Sequence, residues 1–352
     1  MKKIQRCTKC LIPATYPGTT FNESGVCNHC LEYKAQELLG EDQFLAKIKS
    51  KQGSQYDCVL GISGGKDSCY VAYLAKEKYN LRALAVCYDF PFLVDLARQN
   101  IKNVCESLNL DLIIIKSKNN LEYNLLRNHL ISLSGTGTTW GQCMFCHYGI
   151  DAVLYNVANE KNIPFILSGI TSDELWNPGN RTKFLLKRVK KLPINELLQF
   201  LFYQTKAYRQ LVDQRRQFKI PANSCFNVYK RAKIPGDTPE TIHVFDYIKW
   251  DQEEIEKTLI EQTGWIKPSK PTSWRYDCIL EPLLDYTYKK EFDISTVGLY
   301  LSGLIRSGLI NRPDALRITE QSEDEEYLKT HLEFVFNYLN IPKETQTKFF
   351  NN

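Results

Sequence analysis

The sequence predicts an α/β fold: a doubly wound parallel sheet with a small cysteine-rich module before it and a helical region after it. Three observations carry this. Strand-like and helix-like stretches alternate from Tyr56 to Leu167. Two C-x-x-C pairs, Cys7/Cys10 and Cys27/Cys30, open the chain in a segment with little apolar material. Beyond Asp251 the apolar residues recur at helical spacing. Alternating strands and helices give parallel sheets because a parallel crossover needs a helix to return the chain. The boundaries read as 1–35 for a zinc ribbon, 36–250 for a catalytic α/β domain and 251–352 for the helical region.

The N-terminal module comes first. Two C-x-x-C pairs across a short loop form a four-cysteine zinc site by spacing alone. Pro13, Pro17, Gly18 and Phe21 to Gly25 make the intervening ribbon rich in turns, so Zn²⁺ is needed to fold it. His29 lies between two ligands and reads as a bystander, since four thiolates suffice. Leu31 to Lys51 reads as a polar linking helix, apolar at Leu38, Leu39, Phe44, Leu45 and Ile48.

The sheet follows. Strands are expected at 56–62, 81–88, 110–115, 164–167 and 242–248, and helices at 70–78, 94–108, 151–161 and 251–263. Between the first strand and the first helix stands Ser63-Gly64-Gly65-Lys66-Asp67-Ser68. Adjacent glycines let the backbone turn tightly and admit a ligand. The N–H groups and the positive helix end then suit a phosphate. Ser63 and Ser68 add hydroxyl donors and Lys66 a point charge. The segment is neither a Walker loop nor a G-x-G-x-x-G fingerprint. Ligands of such sheets bind at the C-terminal strand ends. Those ends also carry Tyr88 and Asp89, placed to touch a nucleoside, and Gly169 with Asp173 and Glu174. The two carboxylates offer a Mg²⁺ or substrate site; their other reading is a helix N-cap and first-turn acid.

A second cysteine set has no such simple reading. Cys143 and Cys146 form a C-x-x-C pair between the third and fourth strands, and Cys225 follows much later. One pair plus one cysteine is a ligand short for structural zinc, but suits a 4Fe-4S cluster with one open iron. A zinc site completed by His147, or three unrelated thiols, are the alternatives. Cys58, Cys69, Cys87, Cys105 and Cys278 read as small buried hydrophobes.

The chain is 352 residues long with 12 cysteines and a net charge of +5. That charge permits an anionic partner without demanding nucleic acid. The stretches 183–191 and 203–219 mix basic and aromatic residues. They read as a solvated helix face, a nucleic-acid contact or a grip on a phosphorylated substrate. Met1 to Arg6, with no apolar core behind it, does not read as a signal peptide, and no apolar run approaches the length that spans a membrane, so the C-x-x-C pairs are expected to hold metal in a reducing cytoplasm.

Ser63 to Ser68 resembles the loop of the PP-loop ATP pyrophosphatase superfamily. The resemblance implies a HUP-like Rossmann sheet in which Ser63, Gly64, Gly65, Lys66, Asp67 and Ser68 hold the pyrophosphate end of ATP, split to AMP and pyrophosphate, with Mg²⁺. Lys66 sits at the variable position of that motif. The whole chain also resembles the N-acetyl sugar amidotransferase family of surface-polysaccharide biosynthesis. Cys7-Thr8-Lys9-Cys10, Phe21 to Cys30, Tyr56-Asp57-Cys58-Val59 and Leu301 to Ile310 carry that resemblance. It implies ammonia from a glutaminase partner. The trio Cys143, Cys146 and Cys225 departs from that family and is similar to cluster-dependent tRNA 2-thiolation enzymes, which replace an adenylated oxygen with sulfur. The shared expectation is adenylation of a carbonyl oxygen, with Asp67, Asp173 and the trio as catalytic residues. Sulfur is favoured because ammonia chemistry gives the trio nothing to do. The acceptor is a small molecule, a nucleotide or an RNA. A sulfur donor, or the glutaminase, is the expected partner, and a homodimer follows by analogy.

Overall fold

In the computed structural model the described residues are 4–35, 37–51, 55–117, 119–136, 143–171, 188–217, 239–268, 277–322 and 325–351. Five parallel strands form one sheet: β1 Cys58–Gly61, β2 Ala83–Asp89, β3 Asp111–Lys116, β4 Phe165–Ser168 and β5 Glu240–His243. Their order is β3-β2-β1-β4-β5. Cys58 pairs with Ala83 on one side and Phe165 on the other, so β1 is central and its side chains are buried through Leu60. That explains its unbroken apolar run, since a parallel strand is covered on both faces. The order reverses at β1, which places the β1 and β4 exits side by side at the switch point.

The helices that position these exits are α1 Glu41–Lys49, α2 Lys66–Tyr73, α3 Asp95–Ser107, α4 Leu121–Leu133, α5 Met144–Glu160, α6 Ile194–Gln217 and α7 Gln252–Thr263. A wider π-type turn, Leu74–Lys78, extends α2. α2, α3 and α7 pack together, α5 packs on β1, β2 and β4, and α6 lies along α4. α5 approaches β1 closely because Gly61 has no side chain: a Cβ there would meet Leu154 Cδ1 at 2.8 Å.

The C-terminal helices are α8 Glu281–Phe292, α9 Thr296–Arg306, α10 Arg312–Ser322, α11 Glu325–Tyr338 and α12 Lys343–Asn351. Ser295 caps α9, its side chain accepting the Gly298 N–H at 3.0 Å. Leu328, Leu332, Val335 and Phe336 give α11 a buried stripe. Among the described residues, no helix is long and apolar enough to cross a membrane.

Three expected elements differ. Helix 31–51 shrinks to Glu41–Lys49, because Leu39 and Gly40 spend their N–H groups on Asp246 O and Tyr247 O, at 3.0 and 3.2 Å. The strand at 242–248 forms at 240–243 and then tightens into the 3-10 turn Val244–Asp246. The helix expected at 151–161 begins at Met144, so Cys146 lies in its first turn and Cys143 at its N-cap.

Candidate active site and metal centre

The loop after β1 turns at Gly64, whose φ of +81° only glycine adopts without strain. A Cβ on Gly64 would also lie 2.2 Å from Ala97 O, so α3 closes on the loop at this point. The Gly64 carbonyl accepts the Trp265 indole N–H at 2.9 Å. Asn100, buried on α3, bonds Ile266 in both directions at 2.8 and 3.0 Å. The segment after α7 is thereby tied across the loop.

α2 begins at Lys66 with Gly65 as N-cap and no side-chain cap. Its first-turn N–H groups therefore suit an external acceptor, and the helix dipole favours an anion there. Two hydroxyls brace the turn: Ser63 N–H donates to Ser68 Oγ at 3.2 Å, the two Oγ atoms are 3.2 Å apart, and Ser68 Oγ donates to Gly65 O at 3.1 Å. Gly169, at the exit of β4, stands so close that a Cβ would meet Asp67 C and O at 2.9 Å. The structure thus brings together Ser63, Gly64, Gly65, Lys66, Asp67, Ser68 and Gly169.

Lys66 is 3% exposed and its Nζ lies 2.7 Å from Asp67 Oδ2 and 5.4 Å from the Trp250 ring centroid. Trp250 Nε1–H donates to the other oxygen, Asp67 Oδ1, at 2.7 Å. The Asp67 carboxylate is thus fixed from both sides. Asp277 faces the loop as well: its Oδ2 would be 3.7 Å from a Cβ on Gly65.

Tyr88 and Asp89 are engaged elsewhere. The Tyr88 hydroxyl makes a short hydrogen bond to Glu122 Oε1, and its ring fills the space over Gly149 of α5. Burial, then the Glu122 charge, push the Tyr88 phenol up. Asp89 pairs with Arg98 Nε at 3.0 Å and Lys116 Nζ at 3.3 Å. Cys143 is partly buried and Cys146 is buried. Asp173, Glu174 and Cys225 lie outside the described residues.

The four N-terminal thiols converge. The donor atoms of Cys7, Cys10, Cys27 and Cys30 all lie within 4.8 Å of one another, and all four residues are buried. Cys7 Sγ is 3.9 Å from Cys30 Sγ, and Cys10 Sγ is 3.7 Å from Cys27 Sγ. A tetrahedral zinc–thiolate centre has an edge of about 3.8 Å, from its Zn–S bond length. The N–H groups of Lys9, Cys10 and Cys27 point at Cys7 Sγ at 3.4, 3.4 and 3.2 Å. Hydrogen bonds from Cys10, Cys27 and Cys30 hold the Cys7 thiol far below its ordinary value. The Cys27 bond lowers Cys10 to about 7. Cys27 and Cys30 are pushed up, each by Cys10 first; four thiolates this close would repel one another, and a bound cation would hold them together. His29 stays outside the group, its Nε2 3.2 Å from Thr19 Oγ1.

This ribbon docks on the C-terminal helices. Thr15 Oγ1 donates to Phe292 O at 2.6 Å, Leu11 N–H to Ser302 Oγ at 3.3 Å, and Arg312 Nε to Cys10 O at 3.1 Å. Tyr16 meets Phe292 edge-on at 5.5 Å.

Sequence reasoning missed Trp250, Trp265, Asn100 and Asp277. Trp250 had a usable signal, an aromatic just past the C-terminal end of an expected strand. The other three act through tertiary contacts that no spacing encodes. Cys278, expected among the small buried hydrophobes, packs against the core and is partly accessible.

Comparison with known proteins gives partial matches. Residues 40–129 match the NAD synthase family. A probable sulfurtransferase of Methanocaldococcus jannaschii is 31% identical over 143 residues, 36% of this chain and 38% of that protein. An uncharacterized protein of the same organism is 27% identical over 172 residues, 49% of this chain and 57% of its own length. The chain therefore spans between about two fifths and three fifths of these curated relatives. A solved structure of the U34-tRNA thiolase NcsA from Methanococcus maripaludis with its 4Fe-4S cluster aligns at 17% identity and a TM-score of 0.35. That alignment covers 92% of this chain and 91% of that one. The family match at 40–129 contains Ser63 to Ser68, the segment whose resemblance to the PP-loop superfamily was drawn from the sequence, and that resemblance is borne out.

Proposed function

We propose that this chain is an ATP-dependent transferase that adenylates a carbonyl oxygen of a nucleobase or small-molecule amide and replaces that oxygen with sulfur. The observation that most supports it is where two helices begin. α2 starts at the loop after β1, and α5, which packs on β1, β2 and β4 and meets Tyr88 near the end of β2 at Gly149, starts at the Cys143–Cys146 pair. Both helices return from the C-terminal edge of the parallel sheet, so the pair and the loop share that edge. The 31% identity to a probable sulfurtransferase agrees with this reading.

The residues divide the work as follows. The N–H groups opening α2, with Ser63 and Ser68, receive the pyrophosphate of ATP as the acceptor oxygen attacks the α-phosphate. The gain comes from positioning and charge neutralisation rather than covalent chemistry with the protein. Asp67, held by Trp250 and Lys66, presents a fixed carboxylate at the loop and would help to hold Mg²⁺ there. Gly169 lets the β4 exit close on the loop without a side chain between them. Cys143 and Cys146 are soft donors at the positive end of α5, which favours thiolates and an anionic centre. A 4Fe-4S cluster bound by protein thiolates with one open iron supplies a place for sulfide. The four-sulfur ribbon reads as a structural Zn²⁺ site, closed and remote in role from the chemistry.

The test uses the full chain prepared anaerobically, with Mg-ATP and a panel of amide and nucleobase acceptors, including transfer RNA. The expected result is AMP and pyrophosphate in step with an acceptor that has exchanged oxygen for sulfur, seen by mass. An acceptor that gains nitrogen, and only when ammonia is supplied, would replace sulfur with amidation of an N-acetyl sugar. No AMP with any acceptor would overturn the proposal.

A further inference from the structure

Asp67 and Asp277 both stand at the loop after β1, from distant parts of the chain. Both oxygens of Asp67 have donors: Lys66 Nζ lies 2.7 Å from Oδ2, and the Trp250 indole N–H bonds Oδ1 at 2.7 Å. Asp277 stands over Gly65, the N-cap of α2, from the segment before α8. A Cβ on Gly65 would have Ser63 Oγ at 3.4 Å and Asp277 Oδ2 at 3.7 Å as its nearest neighbours. Among the described residues Asp277 bonds only through its backbone carbonyl, and no ammonium or guanidinium pairs with its side chain.

Backbone contacts put Asp277 there. Cys278 forms an antiparallel bridge with Leu93, Val94 N–H donates to Asp277 O at 3.1 Å, and Ile279 N–H donates to Phe92 O at 3.0 Å. Val94 is the N-cap of α3, and Ala97 of α3 is the residue whose carbonyl closes on Gly64. The start of one helix therefore carries both the wall of the glycine turn and the bridge that brings Asp277 to it. The carboxylate takes no part in this anchoring, so its oxygens are left for a ligand.

Its charge conflicts with the rest of the turn. The first-turn N–H groups of α2 and the helix dipole favour an anion, whereas a carboxylate facing the same turn repels one. The conflict disappears when the phosphates arrive with a divalent cation. Mg²⁺ takes oxygen ligands and is bound through one or two carboxylates together with phosphate oxygens. Asp277 offers such oxygens without a competing donor, while those of Asp67 are already bonded.

We propose that Asp277 is a second carboxylate of the nucleotide site, holding Mg²⁺ against the phosphates of ATP together with Asp67, and that its charge makes the loop select the metal–nucleotide complex over bare ATP. The assignment rests on ATP binding at this loop, as in the function proposed above. It is independent of whether sulfur or nitrogen is transferred.

The experiment is calorimetric titration of the full chain with α,β-methylene-ATP, an analogue that cannot be split between those phosphates, in Mg²⁺ and again in EDTA. Wild type is compared with Asp277→Asn, Asp277→Ala and Asp277→Glu, with far-UV spectra and Tm as folding controls. In Asp277→Asn the affinity for the Mg²⁺ complex should fall about ten-fold, the low end of what changes around a metal site cost it. Its affinity for the metal-free analogue should rise about five-fold, the scale of one unit-charge repulsion at contact distance in water. The opposite signs separate a metal ligand from a packing residue, whose loss would weaken both. Asp277→Glu keeps the charge and should keep the preference for the Mg²⁺ complex. Unchanged affinities in Asp277→Asn, or a parallel fall in both conditions, would overturn the assignment alone. A wild type that binds the analogue in neither condition would overturn the ATP reading and the assignment with it. Should Asp277→Asn misfold, Asp277→Ala is read in its place. Should both misfold, wild type decides: tighter binding in Mg²⁺ than in EDTA is the expected result, and equal affinity would overturn the proposal.

Discussion

Trp250 and Asp67 are 183 residues apart in sequence and joined by a 2.7 Å hydrogen bond, indole Nε1–H to Oδ1. The same indole lies under Lys66 Nζ, which takes the other carboxylate oxygen. The chain just past β5 therefore sets the orientation of the carboxylate in the loop after β1. A carboxylate that must meet Mg-ATP in one orientation gains from such bracing, because misalignment is costly in rate.

Trp250→Phe tests this. The ring stays beneath Lys66 and the donor is lost. A hydrogen bond to a charged group is worth roughly 1.5–3 kcal/mol, so AMP formation should fall by about ten-fold or more in kcat/KM for ATP. Thermal stability should change little by comparison. Turnover equal to wild type would show that Asp67 does not need the indole.

Gly64→Ala should abolish ATP binding. The substitution meets both a left-handed backbone and a backbone oxygen 2.2 Å from the new methyl, and neither yields easily. Gly264 provides the comparison: its φ is +65° and nothing stands within 4 Å of a Cβ. Gly264→Ala should cost only the backbone term, about 1–2 kcal/mol, a drop of a few degrees in Tm with nucleotide binding kept. Calorimetric titration with ATP separates the two, and equal affinity in both variants would remove Gly64 from the site.

What the sequence made legible follows from the range of the forces involved. The strands β1 to β4 and the turn at Ser63 to Ser68 are local, written as apolar runs and a glycine pair. The four-thiol group was legible because ligand spacing survives without knowledge of the fold. Trp265, Asn100 and Trp250 were not, since each acts by a hydrogen bond to a residue far along the chain. The linking helix 31–51 failed for the same reason: Leu39 and Gly40 find better partners near β5 than in a helix of their own.

Removing the metal from the N-terminal ribbon should destabilise the C-terminal helices as well as the ribbon. Thr15, Leu11 and the Cys10 carbonyl all bond to residues of α8, α9 or α10. A zinc ion held by the four thiols would supply folding energy that the turn-rich segment lacks. Cys27→Ala, or treatment with a strong chelator, should lower Tm by several degrees and release about one zinc per chain. Hydrogen exchange should quicken in 296–306 at the same time. A Tm unchanged after complete zinc loss would show that the ribbon folds without metal.

Asp285 is 2% exposed and Glu281, one turn earlier on α8, is 3% exposed. Both accept from Thr296 Oγ1, and Asp285 Oδ1 also takes the Thr296 N–H at 2.9 Å at the start of α9. Burial first, then the Glu281 charge, push the Asp285 carboxyl up to about 8. An unfolded aspartate titrates near 3.9, so the folded state binds this proton more tightly than the unfolded chain does. The associated stability is full below about pH 4, declines as pH rises, and is lost above about pH 8. Wild-type Tm should therefore fall between pH 6 and 9. Asp285→Asn keeps an oxygen for Thr296 and has no proton to lose. Its Tm advantage over wild type should grow across that interval, and a difference that stays constant from pH 6 to 9 would mean that Asp285 does not carry the slope.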